Sequence, residues 1–125
     1  MTKSTIKLAN RHLKNGTTTI EVKSGYGLSV DEELKMLRAI KEANITAMPD
    51  LIPTCLAAHM LPKDFQGTET AYLSEIAERL FPILKSEKLA NRIDAFIEES
   101  AFSAEDIKDY FNTASAMQFD ITVHA

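Results

Sequence analysis

The sequence has little of what marks several protein classes. It holds one cysteine, Cys55, in 125 residues, so no internal disulfide framework is possible and a reducing compartment is the natural setting. There is no tryptophan, and aromatic residues make up only 7% of the chain. Apolar runs stop well short of the ~18 residues that cross a bilayer. The opening stretch, residues 1–15, is polar and basic and lacks the apolar core of a secretory leader. Basic residues are not in excess: the net charge is −4 and the sequence pI is near 5.3. A general nucleic-acid surface therefore has no phosphate-neutralising stripe. These absences lead us to expect a cytoplasmic chain with neither membrane nor nucleic-acid partners.

What is present suits an ordinary folded domain. Leu, Ile, Val and Phe together form about a quarter of the chain, above the level at which a charged chain stays disordered. The length allows one domain, residues 1–125, with a real core.

Periodicity gives an alternation of helices and strands. Ile6, Leu8, Ala9 and Leu13 predict a helix over 5–13, stopped at Asn15-Gly16. The β-branched run over 17–22 predicts a strand, and Ser24-Gly25-Tyr26-Gly27 a loop. Ser29 with Glu32 has capping-box spacing and opens a helix that Asn44 is expected to stop. Residues 49–57 read as a buried strand despite Pro53, and 68–85 as a helix that Pro82 kinks or interrupts. A strand over 92–97, a helix capped by Ser103 and a last strand over 120–125 complete the order. Strands separated by helices form a parallel sheet through right-handed crossovers. Two architectures accommodate this: a self-contained doubly wound sheet, or half of a (β/α)8 barrel.

In both, chemistry sits at the carboxyl ends of the strands. Tyr26, His59, Glu98 with Glu99, and His124 fall at four such ends. Each alone is weak, because loops are polar for solubility; together they mark a candidate site. Other signals read as structure. Gly25-Tyr26-Gly27 lacks the third glycine of a dinucleotide loop, and no phosphate-loop lysine pattern occurs. Ser24 with His59 has no nucleophile-elbow context. His12 stands beside Arg11 on a solvated helix, Cys55 lies in a core strand, and Tyr110-Phe111 is at packing spacing.

The run from Gly16 to Leu28, with Glu21-Val22-Lys23-Ser24-Gly25-Tyr26-Gly27-Leu28 at its centre, closely resembles imidazolonepropionase, an amidohydrolase-superfamily enzyme of histidine degradation. The resemblance continues through Asp50-Leu51-Ile52-Pro53-Thr54-Cys55-Leu56-Ala57-Ala58-His59-Met60-Leu61-Pro62, through Asp94 to Ser103, and to Val123-His124-Ala125. It implies an α/β fold, a partial (β/α)8 TIM barrel of about four parallel strands alternating with helices. It implies hydrolysis of 4-imidazolone-5-propanoate to N-formimidoyl-L-glutamate, with zinc or iron in the intact enzyme. Tyr26 and His59 would contact the small-molecule substrate and His124 would bind the metal; Glu98 and Glu99 receive no role. The family's H-x-H metal pair would lie upstream of Met1 and its next carboxylate past Ala125. The resemblance therefore implies the middle of such an enzyme, with no metal retained and no turnover. Open outer strands and apolar inward faces lead us to expect self-association. The alternatives are another cyclic amide or amidine amidohydrolase, and a noncatalytic flavodoxin-like binding domain.

Overall fold

The fold is taken from a computed structural model that describes residues 1–124. The alternation holds throughout. The elements are α1 (Thr2–Lys14), β1 (Thr19–Lys23), α2 (Val30–Thr46), β2 (Asp50–Ala58), α3 (Glu69–Glu75), a π turn (Ile76–Leu80), α4 (Phe81–Ser86), β3 (Arg92–Phe96), α5 (Ala104–Ala116) and β4 (Asp120–His124). Ala125, which the periodicity assigns to the last strand, lies outside the described residues.

Local chemistry explains the boundaries. The Ser29 hydroxyl accepts from the Glu32 N–H at 3.2 Å and starts α2. Ser103 and Asp106 form a reciprocal capping box on α5. Asn44 does not stop α2, which runs on to Thr46; its side-chain oxygen instead accepts from Leu51 N at 2.8 Å and ties the helix to β2. The α-helical run expected over 68–85 is interrupted just before Pro82. The preceding turn widens to π geometry, with Phe81 N bonding Ile76 O, and Pro82 then sits in the first turn of α4. A proline is tolerated there because it fits the helical φ and few bonds need its missing donor. Pro53 is tolerated in β2 for a related reason. Pairing of β2 with β3 begins only at Thr54, opposite Arg92.

The four strands pair in sequential order, β1-β2-β3-β4, all parallel. A doubly wound sheet reverses its order at a switch point; this one does not, which overturns the flavodoxin-like alternative. Right-handed crossovers in a sequential sheet put every helix on one face. Burial agrees. Leu51, Cys55, Ile93 and Ala95 alternate toward the helices and are buried, packed with Leu37, Leu80, Phe81 and Ile107.

The other face is concave. In a flat sheet β1 and β4 would stand about 14 Å apart, three strand spacings. Lysine and histidine side chains together reach about 10 Å, and both leave a strand roughly perpendicular to the sheet, yet Lys23 Nζ on β1 lies 3.0 Å from His124 Nε2 on β4. The sheet therefore curls toward that side, as a barrel wall does. This face is not mainly apolar, contrary to the expectation above. Its strand positions carry Glu21, Lys23, Arg92, Asp94 and His124 in ion pairs, with Ile52 as an exposed apolar exception. The fold is α/β, and its parallel, sequential, curled sheet matches part of a (β/α)8 barrel.

Candidate functional site

All four strands point their carboxyl ends to one rim, and three of the four predicted positions meet there. The loop after β1 carries Tyr26 at its tip, 80% exposed. The Tyr26 ring meets His59 edge-on, with centroids 5.4 Å apart. His59 follows β2 and meets Phe96 at the end of β3, at 5.9 Å. Phe96 in turn is the register partner of His124 on β4. Tyr26, His59, Phe96 and His124 thus form one arc across the rim. Glu98 and Glu99 do not join it. Their side chains are exposed on the loop after β3, without a hydrogen bond to any described residue of the arc.

The loop holding Tyr26 is clamped from below. Glu33, buried in the first turns of α2, accepts from Gly25 N with both oxygens, at 3.0 and 3.1 Å, and from Gly27 N at 3.0 Å. Both glycines are required. Gly25 has φ +122°, and a Cβ there would stand 2.9 Å from Leu56 O; at Gly27 it would stand 2.7 Å from Glu33 N. The role of Glu33 is missed by the sequence reading, which marks only Ser29 and Glu32 at the start of this helix. The available signal is an acidic residue eight and six positions after two loop glycines.

His59 is oriented by the same loop. Its Nδ1–H donates to Gly25 O at 3.0 Å, which leaves Nε2 with a lone pair in the neutral ring. Ser24 is no nucleophile here: it is buried, and its hydroxyl accepts from Leu56 N at 3.1 Å. Burial pushes the Cys55 thiol up to about 12, consistent with a core residue.

The second half of the site is ionic. Asp94 on β3 is wholly buried, and its Oδ2 accepts from Lys23 Nζ at 2.8 Å and from His124 Nδ1 at 2.7 Å. Its Oδ1 accepts from Ala95 N at 2.8 Å. Lys23 also donates to His124 Nε2 at 3.0 Å. Burial raises the Asp94 pKa, but the hydrogen bonds from Lys23 and His124 and the charge of Lys23 outweigh it, so the carboxyl sits below its usual range. Beside this triad, Glu21 accepts from Thr54 at 2.8 Å and pairs with Arg92 at 3.3 Å. Lys23, Asp94 and Phe96 are also missed by the sequence reading. The signal is alternation: Glu21 and Lys23, then Arg92 and Asp94, place opposite charges at every second strand position.

The described residues do not by themselves make the metal centre that the resemblance implies. No group of three or more His, Cys, Asp or Glu among them is arranged to hold an ion. His124 has one carboxylate neighbour, and both its ring nitrogens are engaged, Nδ1 by Asp94 and Nε2 by the Lys23 ammonium.

Comparison with known proteins places this geometry. The chain is 39% identical over 113 residues to an imidazolonepropionase of Thermoanaerobacter pseudethanolicus, covering 90% of this chain and 27% of that protein. It is 40% identical over 116 residues to one of Pseudomonas syringae pv. tomato, covering 92% of this chain and 29% of that protein. Its relatives are imidazolonepropionases. One of Erwinia tasmaniensis is likewise 40% identical over 113 residues. The chain spans 27–29% of the length of the imidazolonepropionases it matches. No protein-family profile matches the chain.

Two outcomes follow. Glu33→Gln replaces one accepting oxygen by an amide donor facing backbone N–H groups. It is expected to cost about 1.5–3 kcal/mol in urea denaturation and to speed amide exchange at Gly25 and Gly27; a change below about 0.5 kcal/mol would show that the clamp contributes little. Asp94 should make the fold acid-sensitive. Its folded pKa is depressed, so as pH falls through about 4 the unfolded chain takes up the proton first and stability declines. In acid titrations of stability, Asp94→Asn should flatten this decline while lowering stability at neutral pH.

Proposed function

We propose that this chain supplies the substrate-facing wall of an imidazolonepropionase. The reaction is hydrolysis of the ring C–N bond of 4-imidazolone-5-propanoate to N-formimidoyl-L-glutamate, a step of histidine degradation in the cytoplasm. One observation carries the reading: Tyr26 and His59 meet edge-on at adjacent strand ends, in a chain 39–40% identical to imidazolonepropionases.

The substrate is a flat ring with N–H donors and a carbonyl acceptor, and the aromatic arc suits it. His59 Nε2, left with its lone pair by the bond from Nδ1–H to Gly25 O, accepts from a ring N–H. The Tyr26 hydroxyl, on an exposed ring held at the loop tip, donates to the carbonyl. The Tyr26 and Phe96 rings flank His59, each edge-on to it. Hydrolysis adds water across the C–N bond next to the carbonyl. That carbon becomes the carboxylate, and the leaving nitrogen keeps a proton. We assign Tyr26 and His59 to ring orientation.

His124 is the family's metal-binding position by resemblance. Zinc or iron would supply an activated water in an intact enzyme. Since the described residues do not complete such a site, no step is derived through it. Asp94, the carboxylate nearest His124, is already held by Lys23. The chain alone is therefore expected to bind the ring and not to hydrolyse it.

The test is titration of the 125-residue chain with imidazolepropionate, an unreactive analogue, followed by NMR of the aromatic side chains. Shifts should concentrate on Tyr26, His59 and Phe96, and His59→Gln should weaken binding about fivefold, the worth of one net hydrogen bond. Millimolar analogue that leaves these rings unmoved would sink the assignment. Loss of imidazolone absorbance with purified chain would contradict the expected inactivity.

A further inference from the structure

The proposed chemistry makes no use of Glu33, although it is 1% exposed and carries two acceptor oxygens to the loop after β1. Its bonds fall in a particular order along the backbone. Gly25 N and Gly27 N, which both donate to it, belong to the first and third of three successive peptide units. The unit between them joins Gly25 to Tyr26, and its carbonyl, Gly25 O, accepts from His59 Nδ1 at 3.0 Å. Gly25 O is the only hydrogen-bond partner of the His59 ring among the described residues.

Holding both flanking units fixes the middle one. With Gly25 N and Gly27 N pinned, the carbonyl can leave His59 only if its own unit turns over in place. Turning over shifts φ of Tyr26 by about half a turn. Tyr26 has a negative φ, so the shift would carry it to positive values, which a bulky side chain disfavours. Nor is the loop relaxed in itself. Leu28, just beyond Gly27, stands at φ +60°, a region that leucine rarely adopts. Without the carboxylate, the buried Gly25 N–H would need another acceptor, and the loop would rearrange to supply one.

We propose that Glu33 is a positioning residue for the ring-binding site: through the loop backbone it sets which nitrogen of His59 meets a ligand. A carbonyl oxygen only accepts, so the neutral ring keeps its proton on Nδ1 and leaves Nε2 as an acceptor. Such a site takes a flat heterocycle whose N–H is a fixed donor, as in a cyclic amide or imide. It rejects a ring that offers only an acceptor there. Release of the carbonyl frees the ring to carry its proton on either nitrogen, and an Nε2–H repels a donor. This consequence for the ligand rests on the assignment of His59 to substrate binding; the coupling of Glu33 to the tautomer does not.

Long-range 1H–15N correlation of the labelled chain, at about pH 8.5 where an ordinary imidazole is neutral, reads the tautomer without any ligand. Wild-type His59 should show a protonated Nδ1 and a bare Nε2. In Glu33→Gln the two ring shifts should converge as both tautomers become populated. Glu33→Asp, which keeps the charge but withdraws it by one methylene, should move them the same way. Asn44→Ala cuts the tie to Leu51 at the other end of α2 and should leave them at wild-type values, which separates the coupling from loss of stability alone. Hydantoin-5-propionate, whose ring N–H groups are fixed donors, should bind Glu33→Gln about fivefold more weakly than wild type. A wild-type ring with its proton on Nε2, or either folded Glu33 variant with wild-type ring shifts, would overturn the proposal. Converging shifts in a chain that never binds hydantoin-5-propionate would uphold the coupling and remove the ring-binding assignment instead.

Discussion

The ammonium of Lys23 joins the first strand of the sheet to the last. It reaches Asp94 on β3 and His124 on β4 from β1, across a gap that a flat sheet would not let it span. Most of what is notable about the concave face depends on this contact. Asp94 is wholly buried, and a bare carboxylate there would be costly to hold ionised. Lys23 compensates that charge and His124 adds a hydrogen bond, and together they pull the outer strands toward each other. The curl in turn gathers the four strand ends to one rim. Asp94 also fixes the His124 ring, by accepting from Nδ1.

A second constraint acts on the loop after β1. Its backbone N–H groups turn inward onto the buried Glu33 carboxylate, an arrangement that elsewhere cradles a bound anion. Here the anion is the chain's own. This frees the outer side of the loop to present Tyr26, and gives Gly25 O the position from which it orients His59. The aromatic and ionic halves of the rim are therefore built by different means, one by a clamped loop and one by strand alternation. Phe96 is where they meet, touching His59 on one side and paired in register with His124 on the other.

Much of this was legible in the sequence because it is local. The caps Ser29 and Ser103 mark their helices, and a β-branched run marks β1. The strand-end positions Tyr26, His59 and His124 follow from element order alone. What could not be read depends on partners distant along the chain. Nothing near Glu33 says that it faces two glycines of the preceding loop instead of solvent. Lys23 and Asp94 are 71 positions apart. The polarity of the concave face was misjudged because half barrels were expected to expose apolar interior. The alternating charges of β1 and β3 in fact face inward and satisfy one another. Pro82 marks an interruption of the helix but not its form, which is a π turn that absorbs the steric conflict.

The geometry of the rim rests on the bond between the outer strands and the buried carboxylate it neutralises. The most direct measurement is a double-mutant cycle on Lys23→Met and Asp94→Asn, read by urea denaturation at neutral pH. A coupling energy of about 1.5 kcal/mol or more is predicted for a charge-assisted hydrogen bond to a buried carboxylate. Additive losses, with coupling below about 0.5 kcal/mol, would contradict it.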